Sequence, residues 1–248
     1  MTDSPRKHAV VMIPTYNEKE NIAELIGEIL RLPLPCDVSV VVADDNSPDG
    51  TGEIVEGMGR QNPRVHALIR KKRRGRGTGG IDGFKAALAL DPDYVIEMDG
   101  DFSHQPRYIP DLIAGLDDCD LVLGSRFVKG GKDVNRGLVR RVITRLVRIF
   151  IGRQFRLPVK DVSSGFRCFR REVLEAVDLD DLISVGPSIV LEILYKTSLL
   201  GFRIGEIPIV FVDRTRGKTK LSFLTLMETL VMALKFKKIY PRPEAGAS

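Results

Sequence analysis

The chain has 248 residues and a mass of 27.6 kDa, the size of one large α/β domain or two small ones. With 43% hydrophobic and 29% charged residues it has ample material for a core, which excludes disordered and collagen-like classes. Thirty-eight Lys and Arg against 33 Asp and Glu leave a net charge of +5, which points to an anionic partner (phosphate, nucleic acid or a membrane surface) without choosing among them.

In chain order, His8–Ile13 is a compact apolar run followed by Pro14 and reads as a strand. Glu18–Leu30 places Ile22, Leu25, Ile26, Ile29 and Leu30 at helical spacing. Val38–Ala43 reads as a second strand, Thr51–Met58 as a short helix and Val65–Ile69 as a third strand. Ile81–Leu90 predicts a helix with Phe84, Ala87 and Leu88 on one side, and Tyr94–Met98 and Leu121–Leu123 complete the strands of the first half. This alternation predicts a mostly parallel sheet with helices on both faces and ligands beyond the carboxyl ends of the strands. From Arg126 through Glu172 the chain turns basic, with fourteen Lys/Arg against three acids. Leu138–Ile151 reads as a helix with Leu138, Val142, Leu146 and Ile149/Phe150 on its apolar stripe. Pro187–Leu200 is another helix, and Arg203–Val212 an extended run with Pro208 at an edge or bulge. Leu221–Phe236 is an amphipathic helix with Phe223, Leu226, Met227, Leu230 and Leu234 on one stripe, ending in Lys235, Lys237 and Lys238. No linker composition intervenes, so one continuous domain over 1–248 is expected, with halves at 8–126 and 127–220 and the final helix at 221–238.

Cys36, Cys119 and Cys168 lie far apart without a CxxC pair, which fits space-filling thiols in a reducing compartment. No stretch reaches the roughly 18–20 consecutive apolar residues of a membrane span. Ala9–Ile13 is too short for a signal peptide. A cytoplasmic protein is expected.

Three strand exits carry candidate chemistry. Pro14-Thr15-Tyr16-Asn17-Glu18 offers a rigid exit, a ring for stacking and a carboxylate for a base or ribose. It reads equally as a helix N-terminus capped by Asn17. Asp44-Asp45-Asn46-Ser47-Pro48-Asp49-Gly50-Thr51 sets two adjacent acids, which need a donor, cation or solvent, ahead of a run of turn formers. Met98-Asp99-Gly100-Asp101 projects two carboxylates separated by one small residue, which suits Mg²⁺ or Mn²⁺ shared with substrate diphosphate oxygens. His104 follows as a ligand or loop contact. The cations fall into groups. Arg70–Gly77 reads as a flexible cationic loop and Arg126 as a residue at the same sheet edge as the acids. Arg140, Arg141, Thr144, Arg145 and Arg148 share one helix, where Arg140 and Thr144, four apart, make a phosphate receptor. Arg214 and Lys220 flank a glycine-containing loop suited to closing over an anion. For each of these, an ordinary surface cation is the alternative.

The motifs PTYNE, ADDNSPDGT, MDGDFSHQP, SRF, Ser163–Leu174 and Val212–Ser222, in that order over about residues 8 to 236, resemble the dolichyl-phosphate (polyprenyl-phosphate) mannosyltransferase group of glycosyltransferase family 2. The resemblance implies a GT-A fold with a Rossmann-like nucleotide-binding half. It implies transfer of mannose from GDP-mannose to a polyprenyl or dolichyl monophosphate, with inversion and with Mg²⁺ or Mn²⁺. It assigns Pro14, Tyr16 and Glu18 to guanosine, Ala43 and Asp45 to the nucleotide, and Asp99, Gly100 and Asp101 to the metal and diphosphate, with Asp99 and Asp101 as the metal ligands. Arg126, Arg140 and Thr144 fall around the donor and the acceptor phosphate, and Arg214 and Lys220 on a loop over the donor; Asp99, Asp101 and Arg126 form the implied catalytic set. The family commonly has Ser where Thr144 stands. Arg74 and Arg76 occupy positions that are often hydrophobic in relatives. Some members carry C-terminal transmembrane helices; here the expectation is peripheral contact with the cytoplasmic face of a membrane, unaided or assisted by another protein. Transfer from UDP-glucose or another sugar nucleotide, nucleotidyl transfer on a similar sheet, and a nucleic-acid-binding module are the alternatives. The last is disfavoured by 6% aromatics and no Trp.

Overall fold

In a computed structural model of the chain, residues 6–71, 75–134, 138–212 and 223–242 are described, the side chains of 138–144 and 223–228 excepted. The strands are β1 (His8–Thr15), β2 (Asp37–Asp44), β3 (Val65–Ile69), β4 (Tyr94–Glu97), β5 (Leu121–Ser125), β6 (Lys132–Val134), β7 (Arg167–Arg170), β8 (Ile204–Pro208) and β9 (Val210–Val212). The helices are α1 (Ile22–Arg31), α2 (Thr51–Gln61), α3 (Arg76–Leu88), α4 (Ile109–Ala114), α5 (Leu138–Phe155), α6 (Arg171–Val177), α7 (Ile189–Leu199) and α8 (Phe223–Ile239). Seven strands form one sheet in the order β3-β2-β1-β4-β7-β5-β8, and β6 pairs with β9 in a small second sheet. The first four strands run parallel, and β7 enters antiparallel between β4 and β5. The α/β class with a mostly parallel sheet is thus observed.

Period-two alternation on β1 divides the core. Ala9, Val11 and Ile13 pack toward α1, α2 and α4; Val10 and Met12 pack toward α3, α5, α7 and α8. The α1 stripe Ile22, Leu25, Ile26 and Ile29 is buried as its spacing required. Cys36 and Cys168 fill the first core as reduced thiols.

Five local expectations are corrected. The helix expected from Glu18 begins at Ile22, because Glu18–Asn21 form a turn whose Asn21 and Ile22 amides donate to the Glu18 carbonyl. Asn17 is left-handed (φ 58°) and caps no helix. The helix expected from Ile81 begins at Arg76 and runs through four glycines. They allow close approach: a Cβ on Gly77 would sit 2.5 Å from the Ser184 carbonyl oxygen. Among the described side chains of α5, Ile151 and Phe155 are buried, while Leu146 and Phe150 of the expected stripe are exposed. Among the described side chains of α8, Ala233 and Phe236 are buried and Leu234 of the expected stripe is exposed.

β7 carries an ion pair into the sheet. Arg167 and Glu97 are register partners, both with 0% exposure. Arg167 donates through Nε (2.9 Å) and Nη2 to Glu97 Oε2, and through Nη1 to the Val190 carbonyl (2.9 Å). Burial alone would raise the Glu97 carboxyl, but the charges of Arg167 and Arg76 outweigh it and hold it below the usual carboxylate range. Its contribution to stability is therefore complete above its unfolded-state value and is lost as pH falls through the folded one. Arg167→Met, which strips Glu97 of its two strongest bonds, should cost about 3–5 kcal/mol in urea unfolding. The double variant Glu97→Leu/Arg167→Met should lose clearly less than the sum of its singles, since the Glu97–Arg167 pair is removed together and Arg76 keeps Asp99; additive losses would contradict this account.

Candidate active site

Because β1, β2 and β4 are parallel neighbours, their carboxyl ends open on one side of the sheet. There Pro14, Tyr16, Glu18, Ala43, Asp45, Asp99, Gly100 and Asp101, eight residues named from the sequence, line one cleft of about 310 Å³ with Thr15, Gly75, Arg76 and Gly79. That volume is at the lower end of small-molecule sites. Tyr16 is 37% exposed, and Glu18 is buried, with Oε2 accepting from Asn21 Nδ2 at 3.0 Å. The turn is tied down where the Glu18 amide donates to Thr51 Oγ1 (3.0 Å) and the Asn17 amide to Ser47 Oγ (2.9 Å).

The adjacent acids of β2 divide their work. Asp44 is buried and shapes the turn: Thr15 Oγ1 (2.8 Å) and Ser47 Oγ (2.5 Å) donate to Oδ1, and the Ser47 amide to Oδ2 (2.8 Å). Asp45 lines the cleft, accepting from Arg70 Nη1 on Oδ1 and from the Gly75 amide on Oδ2 (2.7 Å). Arg70 is buried and anchored further by Asp82 (2.8 Å) and Thr78 (2.8 Å). The segment read as a flexible cationic loop therefore delivers two fixed arginines, Arg70 and Arg76, to the site; residues 72–74 lie outside the described residues.

At the end of β4, Asp101 Oδ1 accepts from Ser103 Oγ (2.6 Å) and the Ser103 amide (3.1 Å). Asp99 Oδ1 faces Arg76 Nη2 at 3.3 Å. A Cβ on Gly100 would stand 3.3 Å from Thr15 Cγ2, so a side chain there would crowd β1. His104 is buried, stacked on Phe166 (5.1 Å, 17°), and its Nδ1 accepts from the Asp99 amide at 3.1 Å. Burial pushes its pKa down, against the pull of Asp99 and Asp101, which makes it a neutral prop for this turn. Among the described residues no group of three or more His, Cys, Asp or Glu is placed to hold a metal ion. The carboxylates that could serve such an ion are those of Asp99, which faces Arg76, and Asp101, which accepts from Ser103. Two hard oxygen ligands held this way fit a divalent cation that takes its remaining ligands from a diphosphate.

Arg126 stands off the cleft lining and is fixed rather than mobile. Its Nε and Nη2 donate to Asp161 (2.8 Å each), Nη2 also to Ser163 Oγ (2.8 Å), and its guanidinium lies over Phe127 and Phe211. Burial would raise the Asp161 carboxyl, but its bonds and charge pairing with Arg126 hold it below the usual range. The stretch Ser163–Leu174 also reaches the site, since a Cβ on Gly165 would lie 3.5 Å from Arg76 Nη2 and 3.9 Å from Asp99 Oδ1. Arg140 and Thr144 lie on α5 with side chains outside the described ones, and Arg214 and Lys220 lie outside the described residues. Sequence reasoning missed Glu97, Arg167 and Asp161 as members of this network. For Glu97 the signal was a charge inside an otherwise apolar strand.

The model of glycosyl transferase family 2 matches residues 10–178. An undecaprenyl-phosphate mannosyltransferase of Micrococcus luteus is 39% identical over 213 residues, 86% of this chain and 87% of that one. A polyprenol monophosphomannose synthase of Mycolicibacterium smegmatis is 34% identical over 232 residues, covering 92% and 86%. A dolichol-phosphate mannosyltransferase of Pyrococcus furiosus is 38% identical over 225 residues, 89% of this chain but 61% of that longer one. Among solved structures, glucosyl-3-phosphoglycerate synthase from Mycobacterium tuberculosis matches with a TM-score of 0.67 at 19% identity, covering 94% of this chain and 80% of that one, a likeness of fold. With its sheet, its strand-end cleft and these relatives, the chain is a glycosyltransferase of the GT-A fold and belongs to glycosyl transferase family 2, in the group of the polyprenyl-phosphate mannosyltransferases.

Proposed function

We propose that the chain transfers mannose from GDP-mannose to a polyprenyl or dolichyl monophosphate, with inversion, giving a β-linked polyprenyl phosphate mannose. The observation that carries this reading is the single cleft joining the Tyr16, Glu18 and Asp45 wall to the Asp99–Asp101 pair, in a chain whose relatives bear polyprenyl-phosphate mannosyltransferase names. Tyr16 and Glu18 take the guanosine, Ala43 and Asp45 the nucleoside, and Asp99, Gly100 and Asp101 the diphosphate end. Asp99 and Asp101 would hold Mg²⁺ or Mn²⁺, which supplies charge stabilisation to the departing nucleoside diphosphate.

The acceptor removes the need for a protein base. Transfer to a hydroxyl normally requires proton abstraction. A lipid monophosphate, with a second pKa of about 6, is already largely dianionic at pH 7. Its oxygen attacks the anomeric carbon from the face opposite the nucleotide, the bond to the diphosphate breaks, and no proton moves. The protein's task is to hold two anions together, which falls to Arg140 and Thr144 on α5 and to Arg214 and Lys220 over the donor, with Arg126, whose Nε and Nη2 are committed to Asp161 and Ser163, contributing through Nη1.

A lipid acceptor also gives meaning to the outward apolar residues. Leu146 and Phe150 on α5, and Val231, Leu234 and Ile239 on α8, are exposed, and Lys235, Lys237 and Lys238 are exposed beside the latter. No helix among the described residues is long and apolar enough to cross a membrane. α8 packs inward through Ala233 and Phe236 and presents its other side to a membrane surface, in peripheral contact.

The transfer is tested with radiolabelled GDP-mannose, Mn²⁺ and polyprenyl phosphate, counting label in the organic phase. Asp101→Ala should lower transfer by at least about 100-fold (roughly 3 kcal/mol) with the fold intact. Arg140→Ala should raise the KM for the lipid more than it lowers kcat. An α-linked product, or preferred use of UDP-glucose, would overturn the reading. For the membrane surface, Lys235→Glu/Lys237→Glu/Lys238→Glu should weaken sedimentation with anionic vesicles by at least tenfold, from about 1 kcal/mol per basic residue lost, and leave neutral vesicles unaffected. Unchanged sedimentation with anionic vesicles would remove α8 from the contact.

A further inference from the structure

Arg76 opens α3 inside the cleft, and its guanidinium is committed in an unusual way. Nη2 donates to Glu97 Oε1 (2.9 Å) and Asp99 Oδ1 (3.3 Å). Nη1 is buried and has no hydrogen-bond partner among the described residues. Arg76 meets Glu97 Oε1, while Arg167 meets the other oxygen twice, so Glu97 keeps one guanidinium when Arg76 is replaced. Arg76 is also the only Lys or Arg ion-paired with Asp99 among the described residues, and the neighbouring His104 Nδ1 accepts from the Asp99 amide. A buried donor left unpaired costs about 1–3 kcal/mol, so the position carries a penalty until an acceptor arrives.

Suppose, as the proposed function holds, that Asp99 and Asp101 take a divalent cation together with a diphosphate. The cation must then share the Asp99 carboxylate with a guanidinium of its own sign, which weakens its binding when the nucleotide is absent. A diphosphate reverses both penalties: its charge offsets the two cations, and its oxygens are acceptors for Nη1. We propose that Arg76 makes binding of the metal ion and of the nucleoside diphosphate mutually dependent, so that neither is held firmly without the other. By linkage each then raises the other's affinity by the same factor.

The test titrates the full chain with Mn²⁺, following free Mn²⁺ by electron paramagnetic resonance, with and without GDP and corrected for the Mn²⁺–GDP complex in solution. Wild type should bind Mn²⁺ at least about tenfold more tightly with GDP. Arg76→Met should bind Mn²⁺ at least about fivefold more tightly than wild type without GDP, and should lose most of the GDP enhancement. Arg76→Lys, which keeps the charge, should stay near wild type. Arg167 keeps Glu97 paired in these variants, and thermal unfolding checks the fold; if the methionine variant unfolds, Arg76→Gln carries the same expectation. Nucleotide-free Mn²⁺ affinity of Arg76→Met no higher than wild type would overturn the role of Arg76. Asp101→Asn separates the two levels: if it loses Mn²⁺ while Arg76→Met behaves as wild type, only the Arg76 inference falls. If Asp101→Asn binds Mn²⁺ as wild type does, the acid pair is not the metal site and both fall.

Discussion

One carboxylate, that of Glu97, connects the fold to the site. It lies in β4 with no solvent exposure, opposite Arg167 in the antiparallel register, and a second guanidinium, from Arg76, reaches it from the first turn of α3. Burying such a charge is unfavourable unless partners and hydrogen bonds meet it, and an arrangement that meets it allows little positional freedom. Once Glu97 is satisfied, β7 is fixed beside β4, α3 is fixed against the strand end, and Asp99, two residues on, has a guanidinium at 3.3 Å. The antiparallel strand that interrupts a parallel sheet thus carries the arginine that allows a charged residue to sit inside it.

The same rule orders the other acids. Asp44 and Asp45 are neighbours, yet one is met by hydroxyls and an amide and shapes a turn, while the other is met by Arg70 and lines the cleft. Asp161 is met by Arg126, which two aromatic rings hold in place. Their environments, not their residue type, separate structural carboxylates from those available to a ligand.

The strand–helix alternation of the first half was legible because each strand there is a short apolar run and each helix presents one apolar face. Seven of the cleft residues were legible because they stand at strand exits, where a parallel sheet collects its ligands, while Ala43, inside β2, came from the family resemblance alone. β7 was hidden because Arg167 and Arg170 break its apolar pattern, and their charges are met by residues distant in sequence. The start of α3 was hidden by its glycines, which are poor helix formers when only local propensity is considered and become suitable when the helix must pass within contact of Ser184 and Val185. Leu146 and Phe150 of the stripe expected on α5, and Leu234 of that on α8, are exposed, because periodicity alone cannot say which side of a helix meets the core. Arg76 looked like one member of a cationic run, since nothing in a run of Lys and Arg marks the residue that will turn inward.

The net charge of the chain conceals its sign in the cleft. Arg70, Arg126 and Arg167 each face a carboxylate, Arg76 is shared between two, and Asp101 is met by the amide and hydroxyl of Ser103. The cations closest to the strand ends therefore serve to order carboxylates and leave no positive surplus on the cleft floor. An anionic sugar nucleotide approaching that floor would meet acids first and, in the proposed function, would gain most where a divalent cation stood between it and Asp99 and Asp101. The basic surplus belongs instead to the region between Arg126 and Glu172 and to the end of α8, where a lipid phosphate and an anionic membrane surface would be met. Positive charge outside and paired charge inside is the distribution expected of a protein that must bring two anions into contact without binding either of them too tightly alone.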